Sequence, residues 1–273
     1  MRAPLSWIKE FVDIPASVTA EQISDGLIRV GFEVEEIIKQ GADLTGPLKF
    51  AKVLLIEEIT EFKKPIRYVG LDCGESQTRY VICGATNFAV GDLVVAALPG
   101  AALPGDFAIG ARETYGKTSN GMICSGRELG ISDDHAGIMV FAEGEVTIGA
   151  DAVEALQIND VIFDIAVNPD RGYALSIRGI AREVAGSLGL KFTDPVDALR
   201  GLKFAETGKG VTAKIGEKSS ASVFYVRTLS NFDPKATTPI WMRRRLEKMG
   251  MRSISLVVDV TNYVMLELGQ PLH

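Results

Sequence analysis

Three basic residues recur at intervals of four, Arg244, Lys248 and Arg252, with Arg243 and Arg245 beside the first. On a helix that spacing gathers positive charge on one face, and such a stripe can cradle the phosphates of an RNA end. A solvated face laced by Glu247 is the competing reading. Further on come Thr261 and Asn262, a hydroxyl and an amide around a short apolar run, and then His273. Taken alone, a Thr and an Asn near a helix start are caps. A second set lies earlier. Lys63, Lys64, Arg67 and Arg79 around Tyr68 supply cations and a stacking ring, the ingredients of a single-stranded RNA surface. His135 follows Asp133 and Asp134, a carboxylate–imidazole neighbourhood that suits a base or a ligand. No second His or Cys supports a metal there, and a surface turn accounts for the run. Asn168-Pro169-Asp170-Arg171-Gly172, before SIRGIAREVAG, lacks the glycine spacing of a phosphate loop. Arg171, Arg178 and Arg182 therefore read as ion-pair or subunit-contact residues.

Composition narrows the field. The chain has 273 residues and a net charge of −6, whereas a domain that grips duplex nucleic acid through phosphates is strongly basic. Any RNA contact is therefore local or shared with a partner. Cys73, Cys83 and Cys124 are too few and too scattered for a zinc site or a disulfide framework, and sparse cysteine fits a reducing cytosol. The start, MRAPLSWIKEFVDIP, is not a signal peptide, and no apolar run approaches the roughly 20 residues of a membrane span.

The elements that must position these groups fall into blocks. Residues 1–40 read as helix, helix, strand. Trp7, Ile8, Phe11 and Val12 share a helical face, Thr19 and Gln22 form a capping box, Gly31 closes that helix, and Phe32 and Val34 begin an alternating strand. Residues 41–149 hold 16 of the 28 glycines. Short apolar runs lie between turns there: Val53–Ile56, Tyr68–Leu71, Arg79–Cys83, Leu93–Leu98 and Ile138–Phe141, the pattern of a small β-barrel. Residues 150–195 return to a strand over Ile162–Val167 and a helix with Ile177, Ile180, Ala181, Val184 and Leu188 on one face, capped by Gly189. The simplest topology joins 1–40 with 150–195 as one split α/β domain and makes 41–149 the insert. Residues 196–220 read as linker. In 221–273 the spacing predicts a strand over Ser222–Leu229, a helix opened by Thr238-Pro239 and ended by Gly250, a strand over Ile254–Val258, and a short helix capped by Asp259 and stopped by Gly269.

Four stretches then carry a resemblance: LSWIKEFVDIP; VICGATNF with NGMICSGRELGISDDHAGIMVF; FDIAVNPDRGYALSIRGIAREVAG; and TTPIWMRRRLEKMGMRSISLVVDVTNYVMLELGQPLH. In this order they resemble the N-terminal part of the bacterial phenylalanine–tRNA ligase β subunit. The resemblance implies an α+β chain: a split α/β domain with an inserted OB-fold barrel of the tRNA-binding type, followed by a truncated α/β editing domain. One departure is local. Where that barrel often has a His-Pro-Asn-Ala-Asp-type turn, this chain has Phe62-Lys63-Lys64-Pro65-Ile66-Arg67.

In the enzyme that the resemblance implies, phenylalanine is joined to its tRNA with ATP and Mg²⁺ in the cytoplasm by two α and two β chains. Aminoacylation belongs to α, so no ATP or metal is expected on this fragment. The β subunit supplies scaffold, tRNA contacts and proofreading of tyrosyl-tRNA. By the same resemblance, Arg252 and His273 match the editing pocket's arginine and histidine, and Thr261 and Asn262 match its polar lining. The fragment alone is then expected to be inactive, with apolar surface open near Val258 and Leu266. Within the barrel, 9 Lys and Arg face 14 Asp and Glu. That balance leaves a docking barrel, or a free-standing tRNA-binding or assembly module, open as the other reading.

Overall fold

The computed structural model describes residues 1–61, 66–132, 137–203 and 211–272. Strand β1 (Arg2–Pro4) leads into a one-turn helix α1 (Leu5–Ile8), then α2 (Ala20–Arg29) and β2 (Glu33–Gln40). The first helical face is shorter than its spacing suggests, because the chain turns after Ile8, yet Trp7, Ile8, Phe11 and Val12 all point into one core. The α2 capping box is formed in full: Gln22 N–H donates to the Thr19 hydroxyl and the Gln22 side chain accepts from Thr19 N–H. Gly31 follows that helix at a φ of +92°, a left-handed conformation open to glycine.

The next block is β-structure. It comprises β3 (Leu48–Ile59), β4 (Ile66–Asp72), β5 (Arg79–Cys83), β6 (Leu93–Ala97), β7 (Ala102–Leu103), β8 (Phe107–Ala108), β9 (Ala111–Thr114), β10 (Lys117–Asn120), β11 (Met122–Ile123) and β12 (Val140–Phe141). One antiparallel sheet runs β11-β6-β3-β4-β5, with β12 also on β6. Its β5 edge meets β10, where Ile82 N–H donates to the Ser119 hydroxyl at 2.9 Å and Arg79 to the Asn120 carbonyl at 3.2 Å. The sheet thereby curls into a nearly closed barrel. Val53, Val69, Leu71, Val81, Val94 and Ala96 fill its inside. The opposite faces of β3 and β6, with Phe50, Leu93, Val95 and Ala97, are covered by Leu129, Phe141, Leu156 and Ile158. Burial on both faces explains why β6 reads as an unbroken LVVAA rather than an alternation.

After the barrel come α3 (Ala152–Ala155), β13 (Asp160–Ala166), α4 (Ile177–Leu188), α5 (Ile240–Lys248) and α6 (Leu256–Leu268). Strand β13 lies between β1 and β2, antiparallel to both, with Asp160 opposite Gln40 and Ala3 opposite Phe163. Trp7, Leu27, Phe163 and Ile180 share a single buried cluster. Helix α4 begins at its Ser176 cap and ends at Gly189 with φ +66°.

Two expected strands are absent from the structure. Residues 222–229 form no ladder, and Val223, Phe224, Tyr225 and Leu229 are exposed. Ile254–Val258 instead turns into α6, which starts at Leu256. The cause is Asp259. It lies inside the helix rather than capping it, and its buried carboxylate accepts Ile254 N–H (2.9 Å), the Ser253 hydroxyl (2.6 Å) and the Thr238 hydroxyl. These bonds fold the preceding turn back and remove the extended conformation.

Candidate functional site

Helix α5 sits where the barrel's foot meets the three-stranded sheet, and its basic residues face inward. Arg244 is 1% exposed; its Nε donates to the Leu156 carbonyl at 3.2 Å and its guanidinium pairs with Glu247. Lys248 is 3% exposed, and its Nζ lies 2.6 Å from Asp160 Oδ2. That aspartate also accepts Ser6 N–H at 3.1 Å, the Ser6 hydroxyl at 2.5 Å and Val161 N–H at 2.9 Å. Burial holds the Lys248 ammonium below the ordinary lysine value against the pull of Asp160. Both the RNA-cradle and the solvated-face readings of Arg244 and Lys248 are thus corrected. Their charges are spent inside the fold, because Asp160 and the Leu156 carbonyl offer partners that a linear sequence does not reveal.

Arg245 fills the centre of a ring cluster that the sequence did not signal. Its guanidinium lies 5.2 Å from the Trp7 ring centroid, 5.3 Å from Trp241 and 5.9 Å from Tyr263. One arm donates to the Tyr263 hydroxyl at 2.7 Å and the other pairs with Glu10. Tyr263 stacks on Trp7 with centroids 4.8 Å apart, and Trp7 Nε1 donates to Glu267 at 3.3 Å. Helix α6 is thereby docked on the core by Tyr263, Leu266 and Glu267.

Its outer side carries the residues marked for a pocket. Thr261 is exposed, its hydroxyl donating to the Val258 carbonyl at 2.7 Å, and Asn262 is half-buried beside it. Val257, Val258 and Val260 are exposed around them, whereas Leu266 packs on the core. Arg252 is exposed in the loop between α5 and α6, with no ion pair among the described residues. His273 lies outside the described residues, as do Lys63, Lys64 and the Asp133-Asp134-His135 run. The structure therefore brings Thr261 and Asn262 together on α6 and places Arg252 at the head of the same hairpin.

On the barrel, each described cation near Tyr68 has a carboxylate. Arg67 pairs with Glu58 at 2.8 Å and Arg79 with Glu75 at 2.7 Å, while Lys117 pairs with Glu57 at 3.0 Å. Tyr68 stacks on Tyr80 with centroids 5.1 Å apart, and the Lys117 ammonium lies 4.8 Å over the Tyr68 ring. The Arg67 guanidinium also donates to the Phe88 carbonyl. The face offers rings and balanced charge rather than a basic groove. Among the described residues no group of three His, Cys, Asp or Glu side chains can hold a metal, and no helix is long and apolar enough to cross a membrane. Of the three arginines expected in ion pairs or subunit contacts, Arg178 pairs with Asp194 at 2.5 Å, whereas Arg171 donates to the Val30 carbonyl and Arg182 lies over the Tyr173 ring.

The "Putative tRNA binding domain" family matches residues 48–151, and the "B3/4 domain" family matches 220–273. Along its whole length the chain is 54% identical to the phenylalanine–tRNA ligase β subunit of Thermobifida fusca, 53% to that of Streptomyces avermitilis and 48% to that of Mycolicibacterium paratuberculosis. Its similarity to phenylalanine–tRNA ligase β subunits thus runs from end to end of the chain. The chain spans about a third of the length of these relatives, 33% in each case. Among solved structures, the CsaA chaperone protein from Picrophilus torridus is similar over 38% of this chain and 89% of its own, at 9% identity and a TM-score of 0.29, a likeness too slight to carry an argument. In family terms, the first match covers the barrel strands and the second covers α5, α6 and the irregular segment before them.

Proposed function

We propose that this chain is the part of a phenylalanine–tRNA ligase β subunit that supplies scaffold, a tRNA-contacting barrel and one wall of a proofreading site. The full-chain similarity to β subunits carries this reading and favours it over a free-standing binding or assembly module. In domain terms, 1–40 with 150–195 form the split α/β domain and 41–149 the inserted OB-fold barrel. Residues 196–220 are the linker, and 221–273 begin the editing domain. The pairing of β13 with β1 and β2 supports the first division.

The chemistry is hydrolytic. A site shaped for phenylalanine rejects an analogue with one added hydroxyl by only about 10²-fold, so tyrosine reaches the tRNA and a second site must remove it. In this reading Thr261 and Asn262 line the ester's pocket, Arg252 holds the terminal adenosine region, and His273 orients the ester or its water. Rate then comes from positioning and water activation. ATP and Mg²⁺ serve adenylation at the α partner. The described donors here do not fit a metal. Two α and two β chains in the cytoplasm complete the picture.

The test uses the full-length subunit assembled with α. It should release tyrosine from tyrosyl-tRNA for phenylalanine, and Thr261→Ala with Asn262→Ala should slow that release while phenylalanine attachment continues. Tyrosine release unaffected by both substitutions would remove α6 from the site.

A further inference from the structure

The position of Arg245 assigns it a task that its place in a run of arginines conceals. We propose that Arg245 is the positioning residue that sets the rotation of α6 about its axis, and so the direction in which Thr261 and Asn262 face. This rests on the reading of α6 as a wall of the proofreading pocket.

The geometry is a three-way joint. Glu10 belongs to the first segment of the chain, Arg245 to α5 and Tyr263 to α6, and the guanidinium bonds to both of the others. Its planar fork is what makes this possible, since a lysine offers one point of charge and no second arm. Tyr263 is held twice, by its hydroxyl on Arg245 and by its ring on Trp7, which is itself 0% exposed and fixed in the core. Helical residues two positions apart are about 200° apart around the axis. Thr261, two residues before Tyr263, therefore faces almost opposite the joint, as its exposure records. A turn of the helix that releases Tyr263 swings Thr261 by the same angle.

Other anchors share in holding α6: Leu266 packs on the core one turn beyond Tyr263. The Asp259 network ties α6 to Thr238 and Ser253, which lie within the same C-terminal unit. The Trp7–Glu267 bond, at 3.3 Å, is long and one turn away. Lys248 and Arg244 pin α5 to Asp160 and to the Leu156 carbonyl, so α5 is a fixed platform. Arg245 is the residue of that platform that reaches α6 by a hydrogen bond among the described contacts.

The experiment compares Arg245→Met, Arg245→Lys and Tyr263→Phe in the full-length subunit assembled with α. It measures kcat and KM for tyrosyl-tRNA hydrolysis beside the rate of phenylalanine attachment. A misplacement of about 1 Å costs on the order of 10²-fold. Arg245→Met and Arg245→Lys should each lower the hydrolytic kcat by about 10- to 100-fold with little change in KM, Tyr263→Phe by less, and phenylalanine attachment should hold. Full hydrolytic kcat in Arg245→Met, or rescue by Arg245→Lys, overturns the proposal. An equal loss of phenylalanine attachment also overturns it, since that marks general unfolding. If the unsubstituted assembly hydrolyses no tyrosyl-tRNA, the proofreading reading fails by itself. Hydrogen exchange of α6 in the 273-residue chain then decides the remaining claim: faster exchange in Arg245→Met supports control of α6 by Arg245, and unchanged exchange overturns it.

Discussion

The Asp160–Lys248 pair predicts an asymmetry. Both side chains are nearly sealed, at 3% and 2% exposed, with 2.6 Å between Oδ2 and Nζ. Breaking a buried pair by deleting one partner costs about 3–5 kcal/mol, because the other charge stays buried without compensation. The two deletions are not equal here. Asp160→Ala leaves the ammonium alone and also strips acceptors from Ser6 N–H, the Ser6 hydroxyl and Val161 N–H. Lys248→Met fills the space with an apolar chain and leaves the carboxylate those three donors. Asp160→Ala should therefore lie at the upper end of that range, and Lys248→Met about 2 kcal/mol below it, since a hydrogen bond to a charged group is worth about 1.5–3 kcal/mol. The assay is urea unfolding followed by tryptophan emission. The only two tryptophans, Trp7 and Trp241, both flank Arg245, so their signal reports the docking of α5. Equal losses, or a larger loss in Lys248→Met, would refute the reasoning that Asp160 is the hub.

Further outcomes follow from other sites. Burial pushes the Asp259 carboxyl up, but donation from Ser253, Thr238 and Ile254 outweighs it and leaves the group below its ordinary 3.8. A depressed acid stabilises in full above the unfolded value and loses that contribution as pH falls through the folded one. Asp259→Asn should accordingly flatten the stability of the α5–α6 hairpin below about pH 4, where acid titration by tryptophan emission reads it. Burial pushes the Cys73 thiol up to about 11 and raises Cys83 and Cys124 as well. All three should resist alkylation at pH 8 in the folded chain and react together in guanidinium, as intact mass would record. Because Arg67, Arg79 and Lys117 are each bridged to a carboxylate, any tRNA affinity of the barrel should depend weakly on salt. A slope of log K against log salt steeper than about −4 would mean several released counterions and would contradict this.

What the sequence made legible was local. The Thr19–Gln22 box, the Gly189 cap and the runs over 79–83 and 93–97 depend on neighbours in the chain, and the structure has them. The β9–β10 hairpin was missed. Its strands are polar, and its turn is Tyr115-Gly116, both at positive φ, where Asn-Gly is the usual signal. The apolar run Ile254–Val258 fits strand and helix equally by periodicity, and a tertiary contact to Thr238 decided it. The stripe Arg244–Lys248 failed for the opposite reason. Spacing shows that charges share a face, but it is silent on what that face meets, and here it meets Asp160, some ninety residues earlier. The Arg245 cluster draws on residues 7, 10, 241 and 263, a separation that no window along the chain can span.

Strands β2 and β13 are hydrogen-bonded neighbours, with Gln40 across from Asp160. The chain therefore leaves and re-enters the sheet, on either side of the barrel, at two points that a tight turn could join. Loop-closure entropy grows only with the logarithm of loop length, by about 0.6 kcal/mol for each doubling. For the sheet, carrying so large an excursion costs scarcely more than carrying a medium one. The barrel is thus free to lengthen, shorten or change its surface chemistry while the register beneath it stays as it is.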